Sequence, residues 1–144
     1  MSLRILIAED YKELADSYRE ILEGRGHEVT ITSNGMECRT VFLQFLHKQL
    51  DGSIKPHFDV VILDHGMQYM DGIQTAKELL QLSPKQKIIF ITGNVQAVLQ
   101  KIPQLSGNVS VISKPLTVQA LITQVEGFAV TKSRKMEKTI KYNS

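Results

Sequence analysis

Cysteine is nearly absent from this chain: Cys38 is the only one in 144 residues. A disulfide framework within the chain is therefore excluded, and a reducing cytoplasm is the expected location. Cys38 itself reads as a half-buried helix residue. Long apolar runs are missing as well. None approaches the roughly 20 residues of a membrane span, so no membrane insertion is expected. The run Leu3 to Ala8 leads straight into Glu9-Asp10 and has neither the long apolar region nor the small-residue cleavage site of a secretory leader, so none is expected. Strong charge of one sign is also lacking. The net charge is +2, but residues 129–144 carry five basic side chains and one acid, which leaves −2 on residues 1–128. A general nucleic-acid surface needs basic residues spread over the body, so no direct nucleic-acid contact is expected. His27, His47, His57 and His65 show no metal-ligand spacing, and His65 reads as solvent-exposed.

What the chain does have is a repeated alternation of strand and helix signals. Apolar residues make up 42% and charged residues 22%, which fits one ordinary globular core. The expected domain covers residues 1–128, and residues 129–144 are a basic tail, either an extension of the last helix or disordered. The first strand is Leu3 to Ala8. The stripe Leu14, Ala15, Tyr18, Ile21, Leu22 predicts a helix over Tyr11 to Glu23, stopped by Gly24 and Gly26. Glu28 to Thr32 alternates like a half-buried edge strand. Ser33-Asn34-Gly35 is a turn and cap signal, and a helix follows over Met36 to Gln49. Asp51 to His57, with Gly52 and Pro56, reads as a surface loop.

Phe58 to Leu63 does not alternate, which indicates a strand buried on both faces, as in parallel sheets. A third helix carries Ile73, Ala76, Leu79 and Leu80 and closes before Pro84. Then come a strand over Lys87 to Thr92, a short helix with Val95, Val98, Leu99 and Ile102, a strand over Val109 to Ser113, and a helix over Thr117 to Phe128. Five strand–helix units predict an α/β, flavodoxin-like doubly wound sheet in the order 2-1-3-4-5.

In such a sheet the C-terminal strand ends converge, and ligands sit there at the switch point. The first strand ends at Glu9-Asp10, the third at Asp64, the fourth at Thr92 and the fifth at Lys114-Pro115. Three carboxylates in one crevice repel one another and call for a hard divalent cation and a lysine. Mg²⁺, which prefers oxygen ligands, fits Asp10 and Asp64 directly, with Glu9 close or acting through water and the Gly66 carbonyl as a neutral ligand. A carboxylate can act as a nucleophile toward phosphorus, with Lys114 neutralising a phosphoryl oxygen and Thr92 donating to one.

The set Glu9-Asp10, Asp64, Thr92 and Lys114-Pro115, with Asp64-His-Gly-Met67 and Met70-Asp71-Gly72, resembles the receiver domain of two-component response regulators over about residues 3–128. The resemblance implies Asp64 as phospho-acceptor, Glu9 and Asp10 as Mg²⁺-site acids, Thr92 as switch hydroxyl, Lys114 as the phosphoryl contact, and a cis Lys114–Pro115 bond. It implies a histidine kinase or a histidine phosphotransfer protein as phosphodonor. It also implies an output partner on the face of helix 4, strand 5 and helix 5 (about Val95 to Lys101 and Val109 to Phe128). The expected protein is a stand-alone receiver that is not a turnover enzyme on an external substrate.

Two departures stand out. Gln68 replaces the usual proline of the phosphorylation loop, and Val111 replaces the usual aromatic residue three positions before the lysine. The alternative reading is a receiver fold that binds partners without phosphorylation, motivated by Val111. Two other classes fit poorly. An aspartyl-phosphate phosphatase is expected to have a second Asp where Gly66 stands. A nucleotide binder needs a glycine-rich cradle where Glu9-Asp10-Tyr11-Lys12 stands.

Overall fold

The computed structural model describes residues 2–64, 66, 71–101 and 108–127. Its strands are β1 (Arg4–Ala8), β2 (Glu28–Thr32), β3 (Val60–Asp64), β4 (Lys87–Thr92) and β5 (Asn108–Ser113). They pair in parallel in the order β2-β1-β3-β4-β5, the doubly wound order expected from the alternation of elements. The intervening helices are α1 (Lys12–Gly24), α2 (Gly35–Gln44), α3 (Gly72–Leu82) and α4 (Val95–Leu99), and residues 118–127 form α5.

The consecutive apolar residues of β1, β3 and β4 are explained by two cores. Alternate side chains point to opposite faces of a strand. Leu6, Val61, Leu63, Ile88 and Phe90 pack with Cys38, Phe42, Ala76 and Leu79 under α2 and α3. Ile5, Ile7, Val60, Ile62, Ile89 and Ile91 pack with Tyr18, Leu22, Leu121 and Val125 under α1 and α5. A strand covered on both sides has no place for a polar residue until it leaves the sheet. That is where Glu9, Asp64 and Thr92 stand.

Local chemistry sets the helix ends. The α1 helix closes in a Schellman motif: the His27 amide donates to Leu22 O and the Gly26 amide to Glu23 O. Gly26 has φ +90°, a conformation that favours glycine. Asn34, Asp71 and Asn94 cap α2, α3 and α4, each accepting from the amide three residues on, at 2.9, 2.8 and 3.1 Å.

Three expectations are corrected. The α2 helix ends at Gln44 rather than Gln49. The chain turns at Phe45, whose ring lies 4.9 Å from His57 and 5.7 Å from Phe58. Aromatic packing thus outweighs the helical period of Phe45 and Leu46. The expected loop Asp51 to His57 contains half of a small antiparallel hairpin, His47–Lys48 against Ile54–Lys55, turned at Gly52 with φ +88°. Cys38 is fully buried rather than half-buried, and burial pushes its thiol up to about 12. Ile102, Phe128 and the basic tail lie outside the described residues.

At the N-terminal end of the sheet, α5 is tied back by one cluster. Arg25 donates two 2.9 Å bonds to Glu126. His27 Nδ1 accepts from the Leu3 amide at 3.1 Å, and its Nε2 meets Glu126 Oε1 at 3.2 Å. These donors, Arg25 first, lower the Glu126 carboxyl to about 2. A depressed carboxyl contributes stability that is present above its unfolded value, near 4.5, and is lost as pH falls through about 2. Glu126→Gln is expected to lower stability at pH 7 by about 1 kcal/mol or less, because the pair is partly exposed. In melts run from pH 7 down to pH 2, the difference from wild type should close at the acid end.

Candidate functional site

The sheet register carries the acidic residues to one place. Ala8 is level with Leu63 and Asp64 with Ile91, so Glu9, one residue past β1, emerges beside Asp64. The Glu9 amide donates to Thr32 O at 3.0 Å, which anchors the turn into α1. Glu9, Asp10 and Asp64 each present a carboxylate oxygen, and these oxygens lie within 4.8 Å of one another. Glu9 is 4% and Asp64 9% exposed, while Asp10 faces solvent.

One cation meets this charge among the described residues. Lys114 Nζ lies 3.4 Å from Asp64 Oδ1, and the same oxygen accepts the Gly66 amide at 3.2 Å. Asp64 Oδ1 is thus committed to donors, and no bond to the second oxygen occurs among the described residues. The Lys114 amide donates to Thr92 O at 2.7 Å, which ties the ends of β4 and β5 together. Thr92 Oγ1 accepts the Asn94 amide at 2.9 Å and is 2% exposed. The Lys114–Pro115 bond is cis, as the resemblance implies.

Glu9 shows what this crowding does. Burial, and next the charge of Asp64, push its carboxyl up to about 7, with Asp10 adding to the rise; the Tyr11 amide and Lys114 act against it. The Tyr11 amide donates to Glu9 Oε1 at 3.3 Å. The donor set is all oxygen, clustered, and under-compensated by one ammonium. That chemistry suits a hard, partly hydrated cation such as Mg²⁺.

Of the residues singled out from the sequence, Glu9, Asp10, Asp64 and Lys114 come together, and the Thr92 carbonyl accepts the Lys114 amide. Gly66 reaches Asp64 through its amide. His65, Met67, Gln68 and Met70 lie outside the described residues. Val111 is half-buried on β5, and Phe90 is fully buried in the core under α2 and α3. A residue that sequence reasoning did not connect to the site is Tyr18. It was read as part of the apolar stripe of α1, and it is 3% exposed. Its hydroxyl is buried without a hydrogen-bond partner among the described residues. Burial, then the charges of Glu9 and Asp64, raise its ionisation. The signal available in the sequence was a phenol among aliphatic residues two turns into the helix that follows the acids.

Comparison with known proteins agrees with this geometry. The family model of the response regulator receiver domain matches residues 5–126. The response regulator receiver protein CpdR of Brucella abortus is 29% identical over 123 residues, which cover 85% of this chain and 93% of that protein. The aerobic respiration control sensor protein ArcB of Escherichia coli is 28% identical over 131 residues, 88% of this chain but 15% of ArcB. Among solved structures, a CheY-like receiver domain protein from Methanospirillum hungatei superposes with a TM-score of 0.76 at 22% identity, covering 93% of this chain and 99% of that one. Vibrio cholerae CheY4 superposes with a TM-score of 0.75 at 18% identity, covering 89% and 99%. The chain belongs to the response regulator receiver domain family.

Two measurements test the crowding. Asp64→Asn and Asp10→Asn are each expected to raise stability in metal-free buffer by about 1 kcal/mol, roughly 3 °C in Tm, because each removes like-charge repulsion. Equal or lower Tm for both would show that the acids do not share one field.

The second concerns pH. A carboxyl raised from 4.5 to about 7 on folding contributes stability that is fully present below 4.5 and is lost as pH rises through 7. Metal-free protein should therefore lose stability between pH 5 and pH 8, and Glu9→Gln should flatten that slope in denaturant titrations.

Proposed function

We propose that this receiver domain accepts a phosphoryl group on Asp64, in the presence of Mg²⁺, from the phosphohistidine of a histidine kinase or phosphotransfer protein. The observation that carries the reading is the cluster of Glu9, Asp10 and Asp64 with Lys114 on Asp64, at the switch point of a parallel sheet. In the transfer, a carboxylate oxygen of Asp64 bonds to phosphorus as the phosphorus–nitrogen bond of the donor breaks. The departing imidazole keeps the electron pair and takes a proton.

Glu9, Asp10, Asp64 and the Gly66 carbonyl would hold Mg²⁺, which would supply positive charge for the developing phosphoryl oxygens. Lys114 and the Gly66 amide hold one oxygen of Asp64 and so fix the plane of the nucleophile. Once the phosphoryl group neutralises that oxygen, the Lys114 ammonium is placed to turn to a phosphoryl oxygen, and the Thr92 hydroxyl donates to another. Positioning and charge neutralisation are most of what phosphoryl transfer requires.

The protein is not a turnover enzyme; its output is a changed affinity for a partner, a population shift driven at the site. The partner face is formed by α4, β5 and α5. Support comes from exposed apolar residues there, Leu99 at the end of α4 and Val118 at the start of α5, and from the backbone bond that couples Thr92 to Lys114. The place of action is the cytoplasm; no helix among the described residues is long and apolar enough to cross a membrane.

Incubation with Mg²⁺ and acetyl phosphate, followed by intact mass measurement, tests the reading. Wild type is expected to gain one phosphoryl mass, Asp64→Asn none, and wild type in EDTA at least tenfold less. No gain in wild type would favour the receiver fold as a binding module that acts without phosphorylation. Label persisting in Asp64→Asn would place the acceptor elsewhere.

A further inference from the structure

We propose that Tyr18 is a positioning residue for the cation site: its hydroxyl hydrogen-bonds, through a buried water, to the Glu9 carboxylate and holds it turned toward Asp10 and Asp64. The inference rests on the reading of the acidic cluster as a cation site.

Two buried polar side chains, Tyr18 and Glu9, are sparsely bonded. The Tyr18 hydroxyl has no hydrogen-bond partner among the described residues and no access to solvent, and the residue is 3% exposed. A buried phenol without a partner is costly, and native proteins rarely leave one so. Glu9 is 4% exposed, and the one hydrogen bond to its side chain among the described residues is the 3.3 Å bond from the Tyr11 amide to Oε1. Its other oxygen accepts none among the described residues.

Helix geometry directs the phenol toward that oxygen. Side chains on a helix lean toward its N-terminus. The α1 helix starts at Lys12, directly after Asp10, and Tyr18 lies two turns in. The ring packs in the core that holds Ile5, Ile7, Ile62 and Ile91, the residues just beneath the strand ends that bear Glu9, Asp64 and Thr92. The hydroxyl therefore leans toward the underside of the acidic pocket and feels the charges of Glu9 and Asp64. Ala15 and Leu22, its neighbours on the buried face of α1, are apolar and bring no donor there. A single water there would have the phenol and the carboxylate as its two polar partners.

The role also gives the pocket a mechanical link that Val111 does not supply. A carboxylate held by α1 passes changes in pocket charge to the packing of α1 against α5.

The test is a Mg²⁺ titration of protein labelled with ¹³C at the tyrosine ζ carbon, beside the Tyr18→Phe variant, which removes only the hydroxyl and also assigns the Tyr18 signal. The wild-type Tyr18 signal is expected to shift on Mg²⁺ addition together with the amides of Glu9, Asp10 and Asp64. Tyr18→Phe is expected to bind Mg²⁺ about three- to tenfold more weakly. A smaller loss of affinity overturns the proposal, and a higher Tm in that variant would identify the hydroxyl as simply unpaired. Shifts at the three acids with Tyr18 unmoved overturn this inference alone. A wild type with no Mg²⁺-dependent shift in the pocket overturns it together with the cation reading.

Discussion

Like-charge repulsion among three carboxylates is the constraint around which this molecule is organised. Glu9, Asp10 and Asp64 would separate if the chain allowed it. The sheet does not, because β1 and β3 are hydrogen-bonded neighbours in fixed register and each is buried on both faces. The strain is relieved in part by Lys114, which reaches Asp64 from the end of β5, two strands away. A domain that holds three acids beside one ammonium stores a standing affinity for positive charge and for whatever neutralises Asp64. The stability of the fold and the chemistry of the site are the same electrostatic problem seen from two sides.

Much of this was legible in the chain because the physics is local or periodic. Unbroken apolar runs in β3 and β4 indicated strands covered on both faces, and the alternation of strand and helix signals then led to strand order and to the convergence of Asp10, Asp64, Thr92 and Lys114. Caps at Asn34, Asp71 and Asn94 act within three residues, so their residue types mark helix starts directly. Less legible was whatever depends on residues distant in the chain. The early end of α2 comes from Phe45 meeting His57 and Phe58 across the hairpin, which outweighs a helical period that continues on paper. Cys38 is fully buried because α3 packs over α2, a contact that no pattern within α2 encodes.

The site shows the same division. Each acid announces itself at a strand end, but the height of the Glu9 ionisation does not, since it depends on burial and on Asp64 arriving from another strand. Tyr18 was legible as an apolar-face residue and not as a polar one. Periodicity assigns a residue to a face of the helix, while the direction in which its hydroxyl leans becomes meaningful only once the acids are known to sit above it. Gly66 was read through its carbonyl, and it is its amide that meets Asp64.

The division of the interior into two cores bears on how this chain can change. Ile62 and Leu63 are adjacent in sequence, yet they pack against different helices on opposite sides of the sheet. Substitutions at neighbouring strand positions therefore fall in separate packing environments and should combine nearly additively. Residues far apart in sequence but on one face, such as Ile62 and Leu121, are the ones that must change in concert. The packing under α2 and α3 and the packing under α1 and α5 can drift on partly separate evolutionary schedules, while the strand ends, which belong to both, cannot.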